Sequence, residues 1–286
     1  MDNTNSTTDL IIGAYTNYSW DKIKYWANSI DRSGFRGDKA MIVYNSDHDT
    51  VQKLIDLGFK VWAFNRDPKT NQYFWPHDLI IVVQRFYHLW YFLNQLPENT
   101  YRYVISTDVK DVIFQTNPSE WLEKNIGEHE VVASCESLRY QDEPWGADNM
   151  QGSYPMIWDR IKTQPIYNCG VQAGKQRAMR DLWLNIWLAC KAGGRPNPDQ
   201  AAYNLLLYTR AWDMITLKTM SEDGWAAQVG TTVDPEKINN FLPKLLEPQP
   251  VWDGMLCRTT TNQPHVILHQ WDRIPDWKKE IEIKYA

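Results

Sequence analysis

The chain has 286 residues, 30 Lys and Arg against 35 Asp and Glu, a net charge of -5 and a pI near 5.7. That length suffices for one large domain or two small ones with a substantial core, and the acidic balance, without any arginine-rich run, argues against nucleic acid as the main partner. The opening MDNTNSTTD lacks the regions of a secretory signal, no segment reaches membrane-span length, and Cys135, Cys169, Cys190 and Cys257 follow no metal or redox spacing, so a soluble cytoplasmic chain with free thiols is expected.

Leu10 to Tyr15 reads as a buried strand, followed by a helix capped by Ser19 with Ile23, Trp26, Ala27 and Ile30 on one face. Ala40 to Tyr44 is the next strand. A short helix then turns Val51, Leu54 and Ile55 inward and ends at Gly58. Lys60 to Phe64 is a third strand, and a longer helix runs from about His77 to Leu93. On that helix Leu79, Val82, Phe86, Leu89 and Leu93 form an apolar face, while Asp78, Arg85 and His88 form a polar stripe. Tyr103 to Ser106 is a fourth strand. Such alternation, with continuous apolar strands, predicts an α/β fold with a mostly parallel sheet covered by helices on both faces. Ligands in such sheets bind beyond the carboxyl ends of the strands.

Thr107-Asp108-Val109-Lys110-Asp111 lies at such a strand end, before a second apolar run, Val112 to Phe114. Carboxylates are seldom buried unpaired, so both are expected at an open edge where they can hold a hard divalent cation and bridge it to phosphates. Beyond them, Val131 to Ser134 suggests a strand and the polar segment from Glu136 to Pro165 a long loop or lid. Tyr167 to Gly174 is a glycine-punctuated strand, followed by helices near 177–191 and 199–209. Val266 to His269 forms a last short strand before Trp271-Asp272-Arg273. Fifteen tryptophans supply a large aromatic core, with any exposed ones suited to stacking on sugar rings.

The ordered set TDVKDVIFQTNP, YNCGVQAG, PDQAAYNLL and HQWDR resembles that of nucleotide-sugar glycosyltransferases of the GT-A fold, over nearly the whole chain. In its lack of a signal anchor the chain is similar to the soluble glycosyltransferases of large algal viruses. The resemblance implies a Rossmann-like sheet with a smaller acceptor-side subregion, in one domain over 1–286. Its nucleotide-binding half would cover about 9–118 and its acceptor-binding half about 119–286. The family's usual pair is Asp-X-Asp, whereas two residues separate Asp108 from Asp111 here. With the TNP turn aligned, Asp111 falls on the family's main metal ligand and Asp108 stands one position early. The resemblance further implies that His269 completes the metal site; a lone histidine ending an apolar strand is also commonly a hydrogen-bonded core residue. Imidazole beside carboxylates suits Mn²⁺ somewhat better than Mg²⁺.

The same resemblance implies a UDP-linked donor, with UDP-xylose among the candidates, and a glycan or glycoprotein acceptor. Tyr15 and Thr16 would seat the base and ribose. Arg85, Asp108, Asn168, Gly170, Gln200, Trp271 and Arg273 would face the donor sugar or diphosphate, with Arg273 pairing with Asp272 as the plainer role. Asp199 is the candidate base at a helix start, where N-capping is its simpler role, and Asp78 is the second candidate. Trp145 and Asp148 would touch the acceptor. Inversion at the anomeric carbon is the expected course; retention with Gln200 beneath that carbon is the alternative. A sugar-1-phosphate nucleotidyltransferase would want a glycine-rich basic signature where Ala14-Tyr15-Thr16-Asn17-Tyr18 stands. A non-catalytic carbohydrate-binding protein would leave the metal constellation without purpose.

Overall fold

Side-chain alternation along the first strand builds two cores at once. In β1 (Leu10–Tyr15), Leu10 and Ile12 enter one apolar cluster, and Ile11 and Tyr15 enter another on the opposite face. The computed structural model describes residues 8–77 and 80–286. After β1 come α1 (Trp20–Arg32), β2 (Asp38–Val43), α2 (His48–Asp56), β3 (Phe59–Ala63) and a small hairpin of β4 (Asn65–Arg66) and β5 (Tyr73–Phe74). Then follow α3 (Ile81–Asn94), β6 (Tyr103–Thr107), β7 (Val112–Phe114), α4 (Pro118–Asn125) and β8 (Val131–Arg139). The later chain forms α5 (Pro144–Ser153), α6 (Trp158–Ile161), β9 (Pro165–Lys175), α7 (Gln176–Ala192), α8 (Asp199–Leu207), α9 (Arg210–Asp213) and β10 (Thr216–Thr219). It closes with β11 (Ala226–Gln228), α10 (Val229–Thr232), α11 (Ile238–Phe241), β12 (Val251–Trp252), β13 (Cys257–Arg258), β14 (Ile267–His269) and α12 (Pro275–Tyr285).

The main sheet has seven strands in the order β10-β8-β9-β6-β1-β2-β3. All neighbours are parallel except β9, which runs antiparallel to both β6 and β8. Helices α3, α7 and α8 cover one face and α1, α2 and α4 the other. The result is the mixed α/β, largely parallel architecture that the strand pattern predicts. Because β6 pairs with β9, the first and second parts of the chain share one sheet. A second sheet, β11-β14-β7, crosses the carboxyl edge of the first and brings the end of the chain to the aspartate turn.

Several expectations change. The segment from Glu136 to Pro165 is not a long loop: β8 continues to Arg139 and α5 and α6 follow. Its helices carry too few apolar residues to show a helical period. Helix α3 begins at Ile81 rather than His77, and Leu79, assigned to its apolar face, lies outside the described residues. Val82 is exposed, while His88 is buried rather than part of a solvated stripe. The His88 ring is enclosed by Tyr44, Trp62, Phe64 and Trp75 and hydrogen-bonds the Tyr44 hydroxyl at 2.8 Å. Burial pushes it down to about 4, so it stays neutral. Ser19 occupies the N-cap of α1 without a side-chain cap bond, and Ile55 of α2 faces water. Among the described residues Trp145 is the one exposed tryptophan; the others are buried or half-buried.

Helix α3 carries Arg85 into the site, and Phe86 beside it is 1% exposed in the core. Phe86→Ala should therefore destabilise the protein by about 3–5 kcal/mol, read as a lower denaturant midpoint at unchanged slope.

Candidate active site

The turn between β6 and β7 is folded down onto the sheet by its own second residue. Val109 is 2% exposed and packs against Gly13 of β1, where a Cβ would lie 2.4 Å from the Val109 Cγ1. Trp26 of α1 donates from its indole to Thr107 Oγ1 at 2.7 Å, fixing the strand end. With Val109 tucked under, Asp108 and Asp111 rise on the same side despite the two residues between them. The Asp108 amide donates to Gly170 O at 2.8 Å, and the Gln270 amide donates to Asp111 O at 2.7 Å.

The second sheet delivers the third ligand. His269 of β14 stands opposite Val112 of β7 and opposite Gln228 of β11. Its Nε2 lies 3.7 Å from Asp108 Oδ2 and 3.7 Å from Asp111 Oδ1. Its Nδ1 pairs with Gln228 Oε1 at 2.7 Å, and the Gln228 amide donates onward to Ser134 Oγ at 2.8 Å. Since that amide nitrogen is spent on Ser134, the amide oxygen accepts from a protonated Nδ1. The Nε2 lone pair is then free to face the carboxylates, which is the tautomer a metal ligand needs. One ligand atom from each of Asp108, Asp111 and His269 lies within 4.8 Å of the others. A Cβ on Gly170 would fall 2.6 Å from Asp108 Oδ2 and 2.8 Å from the His269 ring, so glycine keeps the cradle open. Two carboxylates, one imidazole and a cleared centre fit a divalent cation.

Charge balance around this centre is uneven. Burial works against ionised Asp108, but the Arg85 guanidinium, with His269 next, holds its carboxyl below the usual range. Burial pushes Asp111 up; His269 pulls the other way and Asp108 adds to the rise. Arg85 joins Asp108 through one terminal nitrogen and lies 3.5 Å from Asp199 Oδ2 through the other. Burial opposes its charge, yet Asp108 and Asp199 keep it raised, and its Nε is buried without a hydrogen-bond partner among the described residues. Asp199 is the first residue of α8, with Pro198 at the N-cap, so it is not itself the cap. Burial lifts it to about 6 despite Arg85.

Two cavities meet at this ion-paired group. One, of about 300 Å³, is lined by Tyr15, Thr16, Tyr18, Ile81, Lys110 and Asp111 among others. The other, of about 290 Å³, includes Glu136, Trp145, Asn168, Gly170, Gln200 and Arg273. Arg85, Asp108 and Asp199 line both. The Tyr15 and Tyr18 rings stack at 6.3 Å, with the Tyr15 hydroxyl on Ser46 Oγ at 2.8 Å, and Thr16 accepts from Asn45. Asn168 donates to Glu136 and accepts from the Gly170 amide.

Other expected residues fall elsewhere. Trp271 is 2% exposed, packs edge-on to Tyr25 in the core under α12, and borders neither cavity. That burial places its ring in the core rather than in the wall of either cavity. Asp148 pairs with Arg195 at 2.6 Å on the surface, outside both cavities. Asp272 pairs with Lys110 at 2.9 Å, which frees Arg273 for the cavity wall. Asp78 lies outside the described residues. Glu136, Glu143, Gln228 and Lys237 went unread in the sequence. Glu136 carried a signal, an acid directly following an apolar strand, the same pattern that marks Asp108.

No family model and no curated protein matches the chain. Solved structures do. The bifunctional glycosyltransferase WbbM superposes with a TM-score of 0.60 at 13% identity, over 100% of this chain and 52% of its own. The chain thus spans about half the length of that protein. Mouse xyloside xylosyltransferase 1 gives 0.52 at 14% identity, over 92% of this chain and 97% of its own. The galactosyltransferase LgtC, solved with donor and acceptor sugar analogues, gives 0.53 at 10% identity, over 95% of each chain. The chain has the fold of these glycosyltransferases.

Replacing Gln228 by Leu should free the His269 ring to rotate and change tautomer. Affinity for Mn²⁺, followed by calorimetry, should drop by about 10- to 100-fold, with a lowered melting temperature from the buried Ser134 hydroxyl and His269 Nδ1 left unpaired.

Proposed function

We propose that this protein is a metal-dependent glycosyltransferase that moves a sugar from a UDP-linked donor to a hydroxyl of a glycan. The observation that carries the reading is the convergence of Asp108, Asp111 and the free Nε2 of His269 at the junction of two cavities. A nucleotide fits the cavity beside Tyr15, Thr16 and Tyr18, and the transferred sugar fits the one beside Asn168, Gly170 and Gln200. Asp111, His269 and Asp108 would hold a divalent cation, Mn²⁺ in preference to Mg²⁺, and the cation would supply positive charge against the diphosphate.

The chain's own groups do the rest. Arg85, which lines both cavities, and Arg273, which lines the sugar cavity, offer positive charge to the departing diphosphate. Asp199 stands at the junction, raised to about 6 by burial, a value suited to a proton acceptor near neutral pH. As the acceptor oxygen bonds to the anomeric carbon, the carbon–oxygen bond to the diphosphate breaks and its electron pair leaves with that group. The acceptor's proton passes to Asp199, and the anomeric centre inverts. Retention is the second reading, favoured by Gln200, whose side chain lines the sugar cavity beside Asp199. Trp145, 57% exposed at the cavity mouth, offers an apolar platform for the acceptor.

A purely carbohydrate-binding protein is less well supported, since its stacking tryptophans would be exposed and all but Trp145 are not. Among the described residues no helix is long and apolar enough to cross a membrane. Four buried free cysteines support a reducing compartment. The likeness to soluble algal-virus enzymes, and an acceptor on a glycoprotein, belong to this proposal.

UDP with Mn²⁺ should raise the melting temperature, and UDP alone should do little; saturation at about 100 times Kd corresponds to about 2.7 kcal/mol. Stabilisation by free sugar but not by UDP with Mn²⁺ would sink the enzyme reading. Asp111→Asn should lose the UDP–Mn²⁺ response and transfer activity with its fold intact. Hydrolysis assays across UDP-glucose, UDP-galactose, UDP-xylose and GDP-sugars identify the donor; GDP-sugars turned over in preference would contradict the UDP assignment.

A further inference from the structure

Glu136 is one titratable group in the sugar cavity that the reaction above does not use. It lies on β8, two strands from β6, so the sheet spacing sets it about 10 Å from the Asp108 end of the site. Its side chain is 6% exposed and lines the inner cavity wall, whereas Trp145 stands open at the mouth. Asn168 Nδ2 donates to its Oε1 at 2.7 Å and Gln200 Nε2 to the same oxygen at 3.0 Å. Oε2 has no hydrogen-bond partner among the described residues, and it is not among the atoms sealed from solvent without one. Burial lifts the carboxyl to about 7, the two amides drawing it back down and Glu143 adding to the rise. A carboxylate oxygen open to the cavity in this way can accept a hydrogen bond from a hydroxyl bound there.

The backbone is built to aim it. The β8–β9 register shifts on both sides of Cys135, and Ser137, next to Glu136, takes a left-handed φ of 59°. That conformation is costly for a residue with a Cβ and persists only where its surroundings enforce it. Here the enforcement comes from the segment after α11. Ser137 Oγ donates to Glu247 Oε1, and the Leu246 amide donates to Ser137 O at 2.9 Å. Glu247 is fixed in turn by the amides of Ser221 and Glu222, each at 2.9 Å. Bulges beside active sites commonly re-aim a side chain.

We propose that Glu136 is a specificity-determining residue of the donor-sugar subsite, its free Oε2 accepting a hydrogen bond from a ring hydroxyl of the transferred sugar, with Ser137 and Glu247 as positioning residues. The inference rests on the nucleotide-sugar reading. The donor sugar, arriving with the diphosphate from the Arg85–Asp199 side, reaches the inner wall, while the acceptor enters past Trp145. The substrate class that follows is a neutral sugar bearing a hydroxyl remote from the anomeric carbon. A buried site that bonds such a hydroxyl discriminates strongly against analogues without it.

The test is a cycle between Glu136→Gln and donors deoxygenated in turn at each ring hydroxyl, read as kcat/KM of donor hydrolysis with Mn²⁺. Glu136→Gln should lower hydrolysis of the full donor by about 10- to 100-fold and leave the Kd for UDP with Mn²⁺ within about twofold. Against the one deoxy donor lacking the contacted hydroxyl, that loss should vanish. Ser137→Ala and Glu247→Gln should show smaller losses with the same donor dependence. Should Glu136→Gln fail to fold, Glu136→Asp enters the same cycle. Losses that multiply at every position, or hydrolysis within about twofold of wild type, would overturn the inference alone. Wild-type protein unable to bind UDP with Mn²⁺ would overturn the nucleotide-sugar reading, and this inference with it.

Discussion

Val109 beneath Gly13 is the contact on which the rest of the site depends. A turn between two buried strands must place its polar groups outward and one side chain inward, and the absent Cβ of Gly13 gives Val109 its place. With that residue down, Asp108 and Asp111 stand together at the sheet edge in spite of their unusual spacing. The arrangement brings two carboxylates close, which is unfavourable without a counter-charge. Arg85 answers for Asp108, and Asp111 is left raised by burial beside His269. A cation at that point relieves what the fold alone does not.

The ion-paired group formed by Arg85, Asp108 and Asp199 has a second role, as the wall shared by two cavities. Each member comes from a different element: α3, the β6–β7 turn and the start of α8. Their convergence depends on the packing of α3 and α8 over one face of the sheet. The antiparallel strand β9 then sets the depth of the sugar cavity, because it lies between β6, whose end leads into the aspartate turn, and β8, which carries Glu136. Distance from the phosphate site is thus counted in strands, with Gly170 and Asn168 one strand over and Glu136 two.

What the sequence showed was what depends on local pattern. The parallel strands were legible because they are continuous apolar runs, and Asp111 because an acid between two such runs has few other uses. His269 was legible only through the order of motifs; nothing local reveals that β14 pairs with β7. Gln228 was missed for the same reason, since its partner His269 lies 41 residues away, and Glu136 because an acid after an apolar run reads as the start of a loop although β8 continues to Arg139. Trp271 misled because tryptophan beside a motif suits either a ligand or a core, and the packing of α12 decided for the core. His88 was misread because a polar residue on an otherwise apolar helix is ordinarily solvated, whereas four aromatic rings enclose it here.

The central claim is that Asp108, Asp111 and His269 together hold a divalent cation against a nucleoside diphosphate. Crystals grown with UDP and Mn²⁺, measured at the manganese absorption edge, test it directly. The account predicts one strong anomalous peak within coordination distance of Asp111, Asp108 and His269 Nε2, contiguous with the density of the diphosphate. Diphosphate density in the cavity with no peak at those three residues, or a peak held by other side chains, would contradict it.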